Sequence, residues 1–402
     1  MWIHKYLYRR VRRFPVAVAV VATIWSFVEV LWIQRALIRQ LDSEPGLLGD
    51  EKIYITSIHW NNGNILREAW IPALVELVNA IGRDNVFVSL QESGSWDDSK
   101  AQLRHLDALL AQNDIPRRIV LNDTTHLDEI SRPPASTGWV ETPIGQTELR
   151  RIPYLANLRN LVMGPLYERK EEGIFYDKIL FLNDVVFNTL DIRRLLSTRG
   201  GSFAAACSLD FSKPPKFYDT FALRDIEGHD QLMQTWPYFR SRVSRRAIKY
   251  GEPVPVKSCW NGAVAMDSSP FYNDPPLEFR GISDGLAKSH LEGSECCLIH
   301  ADNPLSENMG VWLNPNVRVG YNTPAYATVN PERISWLSTL SIIGGLWENR
   351  VLRWFTTSWF TEYTVKRRLS KYQKEDPGNI ETGSFCLINE MQVLVANGWA
   401  HR

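Results

Sequence analysis

The side chain with the most chemically suggestive position in this sequence is Asp184. It ends the stretch Tyr-Asp-Lys-Ile-Leu-Phe-Leu-Asn-Asp at 176–184, in which Ile179–Leu182 form a short apolar run suited to a strand buried on both faces. A carboxylate delivered at the C-terminal end of such a strand lies where open α/β sheets bind ligands. The same residue can also be read as the cap of a helix formed by VVFNTLDIRRLL (185–196). A second group gathers around another apolar run, Cys296–Ile299, with Glu292 and Glu295 before it and His300 and Asp302 after it. A histidine leaving a buried strand is most often a satisfied core residue. Paired with Asp184 at another strand end, His300 completes an oxygen-and-nitrogen site for Mn²⁺ or Mg²⁺.

Other polar residues fall after predicted strands. Ser57, His59, Asn61, Asn62 and Asn64 follow the first strand, and Glu92, Ser93, Asp97 and Asp98 follow the second. Neither turn has the glycine spacing of a dinucleotide fingerprint or a phosphate loop, which argues against dinucleotide redox chemistry and P-loop hydrolysis. Arg159 lies on a predicted helix (150–166) leading into the 176–187 segment, where a guanidinium could serve a diphosphate. Asn183 precedes Asp184. Trp260-Asn261-Gly262 offers a sugar a stacking face and amide hydrogen bonds, or is simply a tight turn with Gly262 at positive φ.

The elements that must position these residues alternate regularly. Strands are predicted from Ile53, at 85–90 and at 117–121, with helices over 65–82 and 100–113. Further strands follow at 179–182, 203–209 and 263–266. This rhythm implies a parallel sheet with crossover helices. From Pro331 onward the pattern is helical and rich in tryptophan, and it is expected to wrap the main domain.

Residues 14–33 are almost wholly apolar, with Glu29 the one charged residue among them, and twenty helical residues span about 30 Å of hydrocarbon. Lys5, Arg9, Arg10, Arg12 and Arg13 precede the span and acidic residues follow it, so the positive-inside rule puts the N-terminus in the cytosol. The organisation expected is a tail (1–13), a signal anchor (14–33), a stem (34–52), a catalytic domain (53–330) and a helical extension (331–402). Lysine plus arginine balance aspartate plus glutamate at 45 each, which gives no general attraction to nucleic acid. The five cysteines contain no Cys-x-x-Cys, so a structural zinc site is not expected. An odd count leaves at least one thiol unpaired or shared between chains.

Several blocks in fixed order extend this reading over about 53–325. They are ESGSWDD (92–98), LRN (158–160), FLNDVVF (181–187), AACSLDF (205–211), FYDTFALRD (217–225), PVKSCWNGAVAMD (255–267), SECCLIHAD (294–302) and WLNPNVRVGY (312–321). In these the chain resembles the fungal capsule-associated α-1,3-mannosyltransferase family of cryptococcal type. The resemblance implies a GT-A fold, a type II Golgi membrane protein, GDP-mannose as donor, a mannose-containing acceptor glycan and retention of anomeric configuration. Asp184 then stands in place of the usual Asp-x-Asp, between Asn183 and Val185, and would need help from His300. Ser57, Glu92, Ser93, Asp97, Arg159, Asn183, Trp260 and Asn261 become the expected donor contacts. Retention could proceed by front-face attack, or through a carboxylate nucleophile for which Glu295 and Asp267 are candidates beside Asp184. The incomplete Asp-x-Asp also admits a membrane-anchored, lectin-like or regulatory protein that has lost turnover.

Overall fold

The computed structural model describes residues 2–41, 50–332 and 334–402. One mixed sheet organises the chain, built from β1 (Ile53–His59), β2 (Val86–Ser93), β3 (Arg117–Asn122), β4 (Lys178–Leu182), β5 (Ala205–Lys213), β6 (Val254–Ser258), β7 (Ala263–Asp267) and β8 (Val311–Gly320). Their spatial order is β3-β2-β1-β4-β7-β5-β8-β6, extended by the two-residue strands Arg224–Asp225 beside β6 and Lys216–Phe217 beside β5. The first four run parallel. β7 is inserted antiparallel between β4 and β5, β5 and β8 are parallel, and β6 returns antiparallel.

Side chains that alternate along the strands divide between two cores, as the two-residue period of a strand requires. Tyr54, Phe87, Ile179 and Phe181 enter one cluster, while Ile53, Ile55, Val88, Leu180 and Leu182 enter the other. The predicted strand–helix alternation is present as α2 (Ile71–Ile81), α3 (Ser99–Gln112) and α4 (Arg151–Glu171). α2 ends at Gly82, whose φ of 90° suits a residue without Cβ. Before α2 a π-turn, Leu66–Trp70, brings the Trp70 indole to within 2.9 Å of the Asn183 carbonyl.

The helix after β4 is α5 (Thr189–Leu196), and its cap is Asn188, which exchanges hydrogen bonds with Asp191. The capping reading of Asp184 is thereby removed. The apolar run at 296–299 is not a strand but part of helix α7 (Glu295–Asp302), with Ser294 as its cap. Between α5 and α7 lies α6 (Arg242–Lys249).

The N-terminal helix α1 (Trp2–Leu41) does not end where the apolar span ends. It continues through the first part of the expected stem, and residues 42–49 lie outside the described residues. Val20–Gln40 is long and apolar enough to cross a membrane, yet Val30 and Ile33 are buried in the core of the folded domain. At the other end come α8 (Thr339–Phe355), α9 (Trp359–Glu375) and a hairpin of β9 (Gln392–Val395) and β10 (Gly398–His401). Val365, Leu369 and Tyr372 of α9 pack with Leu286, Leu298 and Val393 in a third apolar cluster. A Cys297–Cys386 disulfide ties this C-terminal region to α7, and a second disulfide joins Cys207 to Cys259. Cys296 is the remaining cysteine, a buried free thiol.

Candidate active site

The C-terminal ends of β1, β2, β4 and β5 and the turn entering β7 share one edge of the sheet. β4 delivers Asn183 and Asp184 there. Asn183 is fixed on every side: its N–H donates to the Gly262 carbonyl at 2.8 Å, its own carbonyl accepts from Trp70, and its Oδ1 accepts from Trp260 Nε1 at 3.0 Å. Asp184 follows, half-buried, within hydrogen-bond reach of Asn62. Burial lifts its carboxyl to about 6, only partly offset by its backbone N–H and Asn62. Among the described residues no ion pair involves it.

The turn Trp260-Asn261-Gly262 works from beneath. Asn261 has φ 44° and Gly262 φ 90°, so a tight turn with positive φ is what the sequence encodes. A Cβ on Gly262 would lie 2.6 Å from Val319. Asn261 is fully buried and donates to Asp210 Oδ1 and to the Asp219 carbonyl, each at 3.0 Å. The Trp260 ring is not a platform for sugar. It is buried against Phe181 and Phe279, and the Arg159 guanidinium lies 4.4 Å from its centroid.

Arg159, from α4, also donates from Nε to Glu295 Oε1 at 3.1 Å, which makes a nearly dry ion pair on the first turn of α7. Sequence reasoning missed two further carboxylates. Asp210 on β5 accepts from Asn261, the Asp219 backbone and Tyr321. Burial and then Asp219 push its carboxyl up to about 7. Asp219 accepts from the backbone N–H groups of Phe221 and Ala222. The signal for Asp210 was the one that exposed Asp184: an apolar strand, AAACSL, running into a carboxylate. Tyr218 and Tyr321, with ring centroids 4.6 Å apart, lie in the field of Asp184, Asp210 and Asp219. Arg151 feels the charge of Glu295 and Asp219 and lies under the Trp399 ring of β10.

Other expected site residues lie near the same edge but are engaged in holding the scaffold. Ser57 is buried and donates to the Leu182 carbonyl at 2.5 Å, stitching β1 to β4. Glu92 accepts from the Ser95 N–H, Ser93 is buried beside the His59 carbonyl, and Asp97 accepts from Gly63 and Ser99. Glu92, Ser93 and Asp97 hold the turns together, because short polar loops must satisfy their own backbone donors first. Asp267 ends β7, which runs against β4. It therefore emerges at the opposite edge, paired with Lys178 at 3.2 Å, and is no candidate nucleophile for this site.

Among the described residues no hydrogen bond joins His300 to Asp184. The histidine is buried on α7 with Nε2 2.6 Å from the Cys259 carbonyl, and burial drives its pKa down to about 4. One of its ring nitrogens groups with Cys207 and Cys259, whose sulfurs are consumed in the disulfide, so this cluster is not a metal site. Asp184 does fit a hard cation. It is an unpaired carboxylate on a sheet edge, and Mg²⁺-type nucleotide sites use one or two carboxylates, with phosphates and water completing the shell.

A parallel half-sheet, one antiparallel insertion and carboxylates gathered at the shared strand ends make this a glycosyltransferase domain of the GT-A class. The chain belongs to the family described as cryptococcal mannosyltransferase 1, which matches residues 52–302. Among solved structures it is similar to mannosyltransferase PcManGT from Pyrobaculum calidifontis in complex with GDP-Man and Mn²⁺. The two are 11% identical over 90% of this chain and 87% of that one, with a TM-score of 0.39. It is also similar to TarS 1–349 of S. aureus, at 9% identity over 77% and 74% with a TM-score of 0.37. A third is glucosyl-3-phosphoglycerate synthase of Mycobacterium tuberculosis with Mn²⁺, UDP and phosphoglyceric acid, at 12% over 74% and 78% with a TM-score of 0.32. Overlaps this loose carry no inference about substrate. No curated protein sequence matches the chain.

Proposed function

We propose that this protein transfers mannose from GDP-mannose to a mannose-containing acceptor glycan, forming an α-1,3 linkage with retention. It would do so as a single-pass type II protein of the Golgi membrane with its catalytic domain in the lumen. The observation that carries the reading is Asp184, half-buried and without an ion-pair partner among the described residues at the end of β4, beside Asp210 and Asp219, in a chain of a mannosyltransferase family. Two disulfides suit an oxidising lumen.

Asp184 would hold Mn²⁺ or Mg²⁺, which when bound neutralises charge on the departing diphosphate. Asn183, pinned by Trp70 and Trp260, fixes the backbone that aims Asp184. Arg159 and Arg151 set positive charge on the side of the site bounded by α4, with Glu295 holding Arg159 in place. The exposed Tyr218 ring offers the nucleotide or sugar a face to stack on. Asn261 and Tyr321 hold the Asp210 carboxyl by hydrogen bonds, where its raised pKa lets it carry a proton near neutral pH.

The test uses detergent-solubilised full-length protein with Mn²⁺, a mannose oligosaccharide, and GDP-mannose or UDP-glucose as donor. Transfer from GDP-mannose with an α-1,3 product by NMR supports the reading. Transfer from UDP-glucose alone removes the donor assignment, and no transfer from either donor overturns the reading.

A further inference from the structure

The registration of α8 against α1 has a direction. Gln34 Nε2 donates to Thr339 Oγ1 at 2.7 Å, at the first residue of α8. Three turns later Arg350 is ion-paired with Glu29, which also pairs with Lys249 of α6. α8 therefore starts level with the polar end of α1 and runs back toward its apolar span. It ends in an elbow, 356–358, from which α9 departs. Flanking that elbow, Trp354, Phe355, Trp359 and Phe360 are all more than half exposed, Phe355 at 81%. The α1 side chains toward which the elbow runs, Val21, Ile24, Trp25 and Val28, are exposed as well. The Arg350–Glu29 pair holds together the two helices that carry these apolar surfaces.

Beside these surfaces, α1, α6 and α8 enclose an open hollow of about 640 Å³. Its lining includes Arg39, Arg242, Arg246, Arg350 and Arg353, against two carboxylates, Glu29 and Glu252, and Glu29 is already neutralised by its two partners. Apolar aromatic side chains with arginines beside them match the boundary between acyl chains and anionic headgroups.

We propose that the α8–α9 elbow inserts into the leaflet from which α1 emerges, with the basic hollow seated over anionic phospholipid headgroups. The catalytic domain is then held against the bilayer in one orientation instead of swinging on a stem. This rests on the reading of α1 as a membrane anchor, and the test separates the two.

Thr357 is exposed at the elbow, Trp25 on the span, and Asn113 beside β3 at the far edge of the sheet. Each is replaced by cysteine in the full-length chain and spin-labelled. The native cysteines are disulfide-bonded or buried. The variants go into nanodiscs of phosphatidylcholine with or without phosphatidylserine, and collisions with oxygen and with an aqueous nickel complex are compared. The proposal expects Thr357, like Trp25, to favour oxygen several-fold over Asn113. It also expects the ratio at Thr357 to rise with phosphatidylserine and that rise to vanish in Arg242→Glu/Arg246→Glu. A lipid-exposed Trp25 with a water-exposed Thr357 overturns the elbow and leaves the anchor standing. A water-exposed Trp25 overturns both. A Thr357 shielded from both reagents means that a protein surface covers the elbow, and this too overturns the proposal.

Discussion

Arg159 and Glu295 form an ion pair across the junction of α4 and α7, with the guanidinium lying over the Trp260 ring. Removing one charge strands the other in a dry environment, which costs about 3–5 kcal/mol where burial is complete. Glu295→Gln should therefore lose both stability and transfer. Arg159→Met added to it should regain stability, because no buried charge is left without a partner. Denaturant unfolding of the two singles and the double gives the coupling, and strictly additive losses would show that the pair is not energetically joined.

Asp184→Asn keeps the shape of the β4 terminus and removes its charge. Transfer supported by Mn²⁺ should fall by at least about a hundredfold, the scale of losing one main electrostatic stabiliser, while the melting temperature stays close to wild type. EDTA-resistant, near-normal transfer by the folded variant would refute the assignment.

His300→Gln should leave the Mn²⁺ requirement unchanged, since His300 is bonded to the Cys259 carbonyl. Its folded pKa, about 4, is depressed by burial below the ordinary 6.5. The unfolded chain therefore takes up the proton first, and stability present above pH 6.5 is lost as pH falls toward 4. Melting temperatures at pH 7 and pH 5 should differ less in the variant than in wild type. An equal difference would dispose of the buried-neutral description.

Asp210 has the opposite sign. Its folded carboxyl, raised to about 7 by burial and Asp219, binds its proton more tightly than the unfolded chain does. Stability from this group declines as pH rises from about 4 to 7 and is flat above. Asp210→Asn should remove that decline, gaining melting temperature relative to wild type at pH 8 but not at pH 4. A gain that is the same at both pH values would mean that Asp210 titrates normally.

The parallel half of the sheet was legible because each strand is a short apolar run between turn residues, and Asp184 was legible as the break in one of them. Asp267 was misplaced because an apolar run does not record its direction. β7 runs against β4, and only pairing reveals that. Cys296–Ile299 was ambiguous for a related reason: four buried residues look alike in a strand and in the first turns of a buried helix. Trp260 was identified correctly as part of a turn, but its ring was claimed by Arg159 and Phe279, contacts remote from it in sequence. The apolar segment of α1 satisfied the pattern of a membrane span, and nothing in that pattern could disclose that Val30 and Ile33 also complete the core.

The Cys297–Cys386 bond reaches from within the region matched by the family to a point 84 residues beyond its last matched position. An allele with a stop codon between 303 and 385 would not encode a shorter version of the same enzyme. It would encode a chain with Cys297 stranded next to Cys296, two adjacent thiols with no native disulfide partner. The tail as far as Cys386 is thus part of the same covalent unit as the region that carries the site.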